Sequence, residues 1–268
     1  MAAGTADFAS AAWRRLAMVY SACLPPGLAL RALSGFAGSL RRFRYGVLAA
    51  LFALYVAACP AADHLAPGFS MLPAGAKVVL MPVDVELMSV SAGGVFEPRA
   101  DWTAAAAGHL TQALLARGRA AKVEAAVVAA EDMDEFEEIS ALHAAVAQAI
   151  SLHHFGNLKL PTKGGKLDWS LGDAIAPVRE RTGADYALFT WVRDSYASGE
   201  RKAAMVFMAL LGVGLVGGFQ VGYASLVDLH SGQIVWFNSL FRMSGDLREA
   251  APAAESVDTL LTEFPRAP

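Results

Sequence analysis

The stretch RRFRYGVLAALFALYVAAC, residues 41–59, constrains this chain most, because it decides where the folded part begins. Arg41, Arg42 and Arg44 form a cationic head, and Gly46 to Tyr55 is an uncharged apolar run of ten residues. Val56, Ala57 and Ala58 then close the run with small side chains before Cys59. Head, apolar core and small-residue site in that order describe a secretory signal. The run falls well short of the ~20 apolar residues that a stable transmembrane helix needs. The expected division is therefore residues 1–58 as signal peptide with a mis-assigned upstream extension, 59–75 as a tether, and 76–268 as a periplasmic domain.

Val56-Ala57-Ala58-Cys59 resembles the lipobox of bacterial lipoproteins. The resemblance implies cleavage before Cys59 and acylation at that residue, which would tether the chain to a membrane. Each buried acyl CH2 adds ~0.8 kcal/mol of membrane affinity, so more than one chain makes the anchor stable. Pro60, where an Asp would mark retention at the inner membrane, fits sorting to the outer membrane in that family.

Charge narrows the partners. Residues 1–58 hold six arginines and one acid, Asp7; the remaining 210 carry 16 Lys and Arg against 24 Asp and Glu, net −8. An acidic chain is a poor match for nucleic acid, which is bound by basic stripes, or for electrostatic adhesion to anionic lipid. The chain has two cysteines, Cys23 and Cys59. With Cys59 acylated and Cys23 removed, neither disulfide nor thiolate chemistry is expected.

The pattern downstream reads as a mixed fold. Residues 76–90 run apolar and then alternate, as a strand leaving a buried sheet for a half-exposed one. Residues 101–118 read as a helix with Asp101 as cap, and 122–130 lean to strand. Residues 131–155 read as a long helix, acidic at its start, with Phe136, Ile139, Leu142, Val146 and Ile150 as its apolar face. Ser170 and Gly183 bound a short helix containing Pro177. Residues 184–195 form the clearest strand, 219–243 two strands around His230-Ser231-Gly232, and 252–264 a final helix. The expected class is α+β (or α/β): a single domain with a mixed β-sheet covered by helices.

With this order established, "KVVLMPVDV", "TGADYALFTWV" and "SLVDLHSGQIVWFN" are similar to periplasmic lipoproteins of the curli-secretion CsgG type and to TolB N-terminal-like domains. The matching positions are Gly183, Ala184, Asp185 and Tyr186, then Asp228, Ser231 and Gly232. The resemblance implies a non-enzymatic assembly or secretion accessory that is often oligomeric. The local physics also accounts for these residues, with Gly183 ending a helix and Gly232 supplying a turn.

One segment departs from that pattern. Residues 203–227 hold no charge over 25 positions, long enough to span a bilayer. Its second half reads better as strand, so the expectation is a hydrophobic Gly-rich insertion, 203–218, between two strands. Leu210, Leu211, Gly212, Val213, Gly214, Gly217 and Gly218 are its candidate residues for self-association or membrane contact.

Candidate chemistry is sparse. His143 and His154 are eleven residues apart, ~16 Å along a helix axis, too far for one ion. His153, His154, Glu135 and Glu138 read as a solvated helix, and Asp185 as a carboxylate pairing near a strand start. "GVGLVGG", 212–218, lacks the acid partner of a dinucleotide fingerprint. No catalytic residue, metal or cofactor is assigned. The favoured expectation is a lipid-anchored protein on the periplasmic face of the outer membrane, acting through partner binding or self-association. A metal-dependent envelope hydrolase using His153 and His154, or an inner-membrane protein with a span near 203–225, are the alternatives.

Overall fold

A computed structural model describes residues 64–129 and 132–268. Cys59 and the lipobox residues Val56, Ala57 and Ala58 lie outside the described residues.

The described chain forms one mixed seven-stranded sheet with helices on both faces. The strands are β1 (Lys77–Leu80), β2 (Asp84–Val90), β3 (Phe96–Pro98), β4 (Glu124–Val127), β5 (Tyr186–Ala197), β6 (Gln220–Asp228) and β7 (Ile234–Arg242). The helices are α1 (Ala100–Ala120), α2 (Glu137–Ile150), α3 (Ala176–Thr182), α4 (Gly199–Leu210) and α5 (Ala250–Leu260). Mixed α/β architecture with an insertion between two strands is the class read from the sequence.

The long strand β5 organises the sheet. One edge pairs antiparallel with β6 from Tyr186 to Asp194. The other edge is shared: its first residues pair in parallel with β1 and its later ones with β2. Strands β1 and β2 thus behave as one strand broken near Pro82, which has no N–H to donate. Leu80 lies opposite Leu188 and Asp84 opposite Trp191, so four steps on one side face three on the other. That extra residue is a bulge, and it reverses the odd–even phase of the side chains. Val78 and Leu80 before it, and Val85 and Leu87 after it, therefore join one core cluster. The continuous strand expected over 76–90 is corrected to this interrupted pair.

α1 and α5 cover one face with Leu110, Leu114, Val257 and Leu260; α2 and α3 cover the other with Ile139, Ile150 and Val178. α2 is shorter than expected at both ends: turns occupy 132–136 before it, and a wider π turn, Ser151–Phe155, follows it. Its inward positions are Ile139, His143, Ala147 and Ile150, while Leu142 is exposed. The buried stripe thus carries a histidine that hydropathy alone places outside. α1 begins without the expected Asp101 cap; Asp101 instead pairs with Arg99 at 2.9 Å.

Residues 64–75 are a correction to the expected tether. His64 O accepts from Phe237 N, Ala66 N donates to Val235 O, and Leu65 bridges Trp236 on the edge of β7. Leu72 is fully buried and its N–H donates to Arg266 O. The packed fold therefore already includes His64, thirteen positions before the first regular strand at Lys77, and does not begin near Ala76.

Candidate functional site

The insertion between β5 and β6 is a hairpin of helix and extended return. Ser198 caps α4 by accepting from Arg201 N at 3.2 Å. Leu211 N and Val213 N both bond back to Met208 O, and Gly212 takes φ +79°, so the chain reverses there. Arg201 braces the two limbs: its Nε and Nη2 donate to Val216 O at 3.1 and 2.8 Å. At the base, a Cβ on Gly218 would run into the Ser195 carbonyl, so only glycine lets the return enter β6 this closely.

The faces of α4 are inverted relative to an ordinary surface helix. Arg201, Ala204, Met205 and Met208 turn inward and are half-buried. Ala203, Val206, Phe207 and Leu210, at i, i+3, i+4 and i+7, face solvent. Val206 is 66%, Phe207 62%, Leu210 81% and Leu211 63% exposed, and Val213 and Val216 extend the patch. A Val, Leu or Phe left in water forgoes roughly 1.5–3 kcal/mol relative to burial. A contiguous apolar surface of this kind marks a contact site. The candidate residues Leu210, Leu211, Gly212, Val213, Gly214, Gly217 and Gly218 all fall in this one hairpin. A span over 203–225 does not form: α4 ends at Leu210 and Gln220 to Asp228 is a sheet strand. No helix among the described residues is long and apolar enough to cross a membrane.

Beneath the hairpin lies a polar network that sequence reasoning missed. Asp194 is 2% exposed on β5. Its Oδ2 accepts from Tyr196 Oη at 2.6 Å and Gln220 Nε2 at 2.7 Å, and its Oδ1 from Ser195 N at 2.7 Å. Burial outweighs these donors and pushes the carboxyl up to about 6. Tyr196 Oη in turn accepts from Leu247 N at 2.7 Å, and Arg248 covers the Tyr196 ring while pairing with Asp246. Among the described residues Gln220 Oε1 is buried without a hydrogen-bond partner. The network floors a cleft of about 750 Å³ between Met205, the Gly214–Phe219 return and the turn at Met243–Asp246. The signal was present in the sequence: Asp194 continues the inward phase of Tyr186, Leu188, Thr190 and Val192, where a charge is costly.

The histidines do not gather. His143 is buried, stacked on Phe189 at 3.9 Å, with Nε2 2.5 Å from Ser225 Oγ. This resembles a base–nucleophile pair, but Ser225 is 0% exposed, sealed from any substrate. Desolvation lowers His143 to about 3. His153 Nδ1 meets Leu158 O at 2.6 Å, and His154 is buried with its ring edge-on to Phe155. Among the described residues no three His, Cys, Asp or Glu cluster as metal ligands. Asp185 accepts from Lys77 N at 2.9 Å, tying the starts of β1 and β5.

No protein-family model matches the sequence, and no curated protein matches it significantly. Among solved structures, the chain is similar to the PelC dodecamer of Paraburkholderia phytofirmans, with 14% identity, 75% of this chain and 95% of that one covered, and TM-score 0.37. It is also similar to the LpoB C-terminal domain of Salmonella enterica, with 14% identity, coverage of 67% and 88%, and TM-score 0.26. Lipoprotein GNA1162 of Neisseria meningitidis matches with 14% identity, coverage of 70% and 97%, and TM-score 0.28. Likeness this loose assigns neither family nor activity.

Proposed function

We propose that this chain is a lipid-anchored bacterial envelope protein that works by contact rather than catalysis, as an accessory to assembly or secretion on the periplasmic face of the outer membrane. The observation that carries the reading is the apolar outer stripe of α4, Ala203, Val206, Phe207 and Leu210, continued by Leu211 and Val213 and covered by nothing in the described chain. The signal-and-lipobox order of residues 41–59 supports the anchor. The test is intact mass and membrane fractionation of wild type beside Cys59→Ser. A product beginning at Cys59 with acyl mass, absent in the variant, is expected; an unprocessed chain sinks the anchor. For the contact role, a strain lacking the protein is complemented with wild type or with Leu210→Ser/Leu211→Ser/Val213→Ser. Restoration by wild type alone, at equal lipidated protein, is expected, and full restoration by the triple variant removes the role.

A further inference from the structure

The composition of the hairpin separates its occupants. From Ala203 to Gly218 every residue is Ala, Met, Val, Phe, Leu or Gly. A surface recognising another protein surrounds its apolar core with a polar rim and forms about one hydrogen bond per 100–200 Å². Sixteen consecutive residues here offer no polar side chain to form such bonds. Hydrocarbon asks for none. The stripe is also helical, so the backbone bonds of α4 are made within the helix, and Arg201 satisfies Val216 O on the return.

Chain length points the same way. Cys59 is five residues before His64, so an extended link reaches at most ~17 Å. His64 is fixed opposite Phe237 on β7. From there β7 runs to Arg242, which pairs with Gln220 at the base of the hairpin, a distance of ~17 Å at the usual rise per strand residue. The link is thus long enough for a lipid on Cys59 to reach the level where the hairpin leaves the sheet.

We infer that the outer stripe of α4 and the Leu211–Val213 turn dock into the lipid interface of the same leaflet that holds the acyl chains of Cys59. The inference rests on the anchor reading and adds a second, non-covalent membrane contact to it. Because the contact is apolar, high salt does not weaken it.

The experiment uses the full chain, processed and reconstituted into phosphatidylethanolamine–phosphatidylglycerol vesicles. A mature chain acylated at Cys59 has no other cysteine, so Leu210→Cys provides a single thiol for an environment-sensitive fluorophore, with Gln112→Cys on exposed α1 as control. Intact mass is read first on the same sample. The expected result is blue-shifted emission at residue 210, quenched by lipids with spin-labelled acyl chains and unchanged in high salt, while residue 112 stays aqueous. Aqueous emission at 210 on acylated protein overturns the docking alone. Shielding at 210 that escapes lipid quenching and grows with protein density assigns the stripe to a second copy, and also overturns it. A chain without acyl mass overturns the anchor, and with it the ground for the docking.

Discussion

Tyr196 stands between Asp194 and the chain beyond β7: its hydroxyl donates to Asp194 Oδ2 at 2.6 Å and accepts from Leu247 N at 2.7 Å. A buried carboxylate thereby helps to hold the turn that closes the cleft under the hairpin.

This carboxylate makes stability depend on pH in a direction opposite to most acids. Asp194 is raised from an ordinary 3.8 to about 6. Between those values the folded state holds a proton that the unfolded state has lost, so its contribution falls as pH rises through that window and is absent above it. The gap corresponds to ~3 kcal/mol. Asp194→Asn removes the titrating group, so its cost in lost hydrogen bonds to Tyr196 and Gln220 is set against a pH-dependent gain. Thermal melting of wild type and variant from pH 4 to 8 is expected to show the variant relatively stabilised at pH 8, with the difference shrinking toward pH 4. A constant difference would refute the assignment.

His143 works with the opposite sign. Its folded value lies near 3 against an ordinary 6.5, so the unfolded state gains a proton first and stability is lost as pH falls through that range. Replacing the pair as His143→Leu/Ser225→Ala removes the titrating group without stranding the Ser225 hydroxyl. The double variant is expected to lose less stability between pH 6.5 and 4 than wild type, measured by urea midpoint at each pH. Parallel curves would show that His143 does not titrate on unfolding.

The hairpin depends on its brace. Arg201→Ala removes both donors to Val216 O, a loss of roughly 1–3 kcal/mol for charge-assisted bonds. Because the sheet is untouched, the expected outcome is local: faster amide exchange in 211–218, with β5 and β6 unchanged. Gly218→Ala strikes the backbone of Ser195 and is expected to lower the melting temperature of the whole domain. Equal exchange in Arg201→Ala and wild type would show that the return is held by packing alone.

The paired histidines of the rival enzyme reading are separated by their own contacts, His153 outward to Leu158 O and His154 inward to Phe155. Metal analysis of purified protein after zinc dialysis is expected to give the same metal content for wild type and His153→Ala/His154→Ala. A stoichiometric ion lost in the variant would revive that reading.

What was legible in the sequence follows from what local pattern encodes. The apolar and aromatic runs of β5, β6 and β7 are local properties, and they fall where expected. Gly183 ends α3 as expected, but Ser170 caps no helix: its Oγ accepts from Gly172 N ahead of a tight 3-10 turn, and α3 begins only at Ala176. The inward face of α2 is shifted because His143 is buried against Phe189 on a strand some 46 residues away, and no periodicity reports such a partner. The break at Pro82 was in plain sight, but its phase reversal emerges only when two strands share the edge of β5. β3 has three exposed residues and exists only because β2 offers it a pairing edge. The uncharged hairpin was found by composition, whereas the Asp194 network beneath it required the register that sets Gln220 opposite Asp194.

The seam between His64–Ala66 and β7 has a mechanical meaning. Any pull transmitted from the N-terminal side of the chain enters the domain at the backbone bonds to Val235 and Phe237, on a strand whose Trp236 side chain is fully buried. Load therefore reaches the centre of the sheet through an edge seam a few bonds long. Those few bonds are outnumbered by the paired residues of β5–β6 and β6–β7, so a load applied from that side would act first on the seam and last on the sheet behind it.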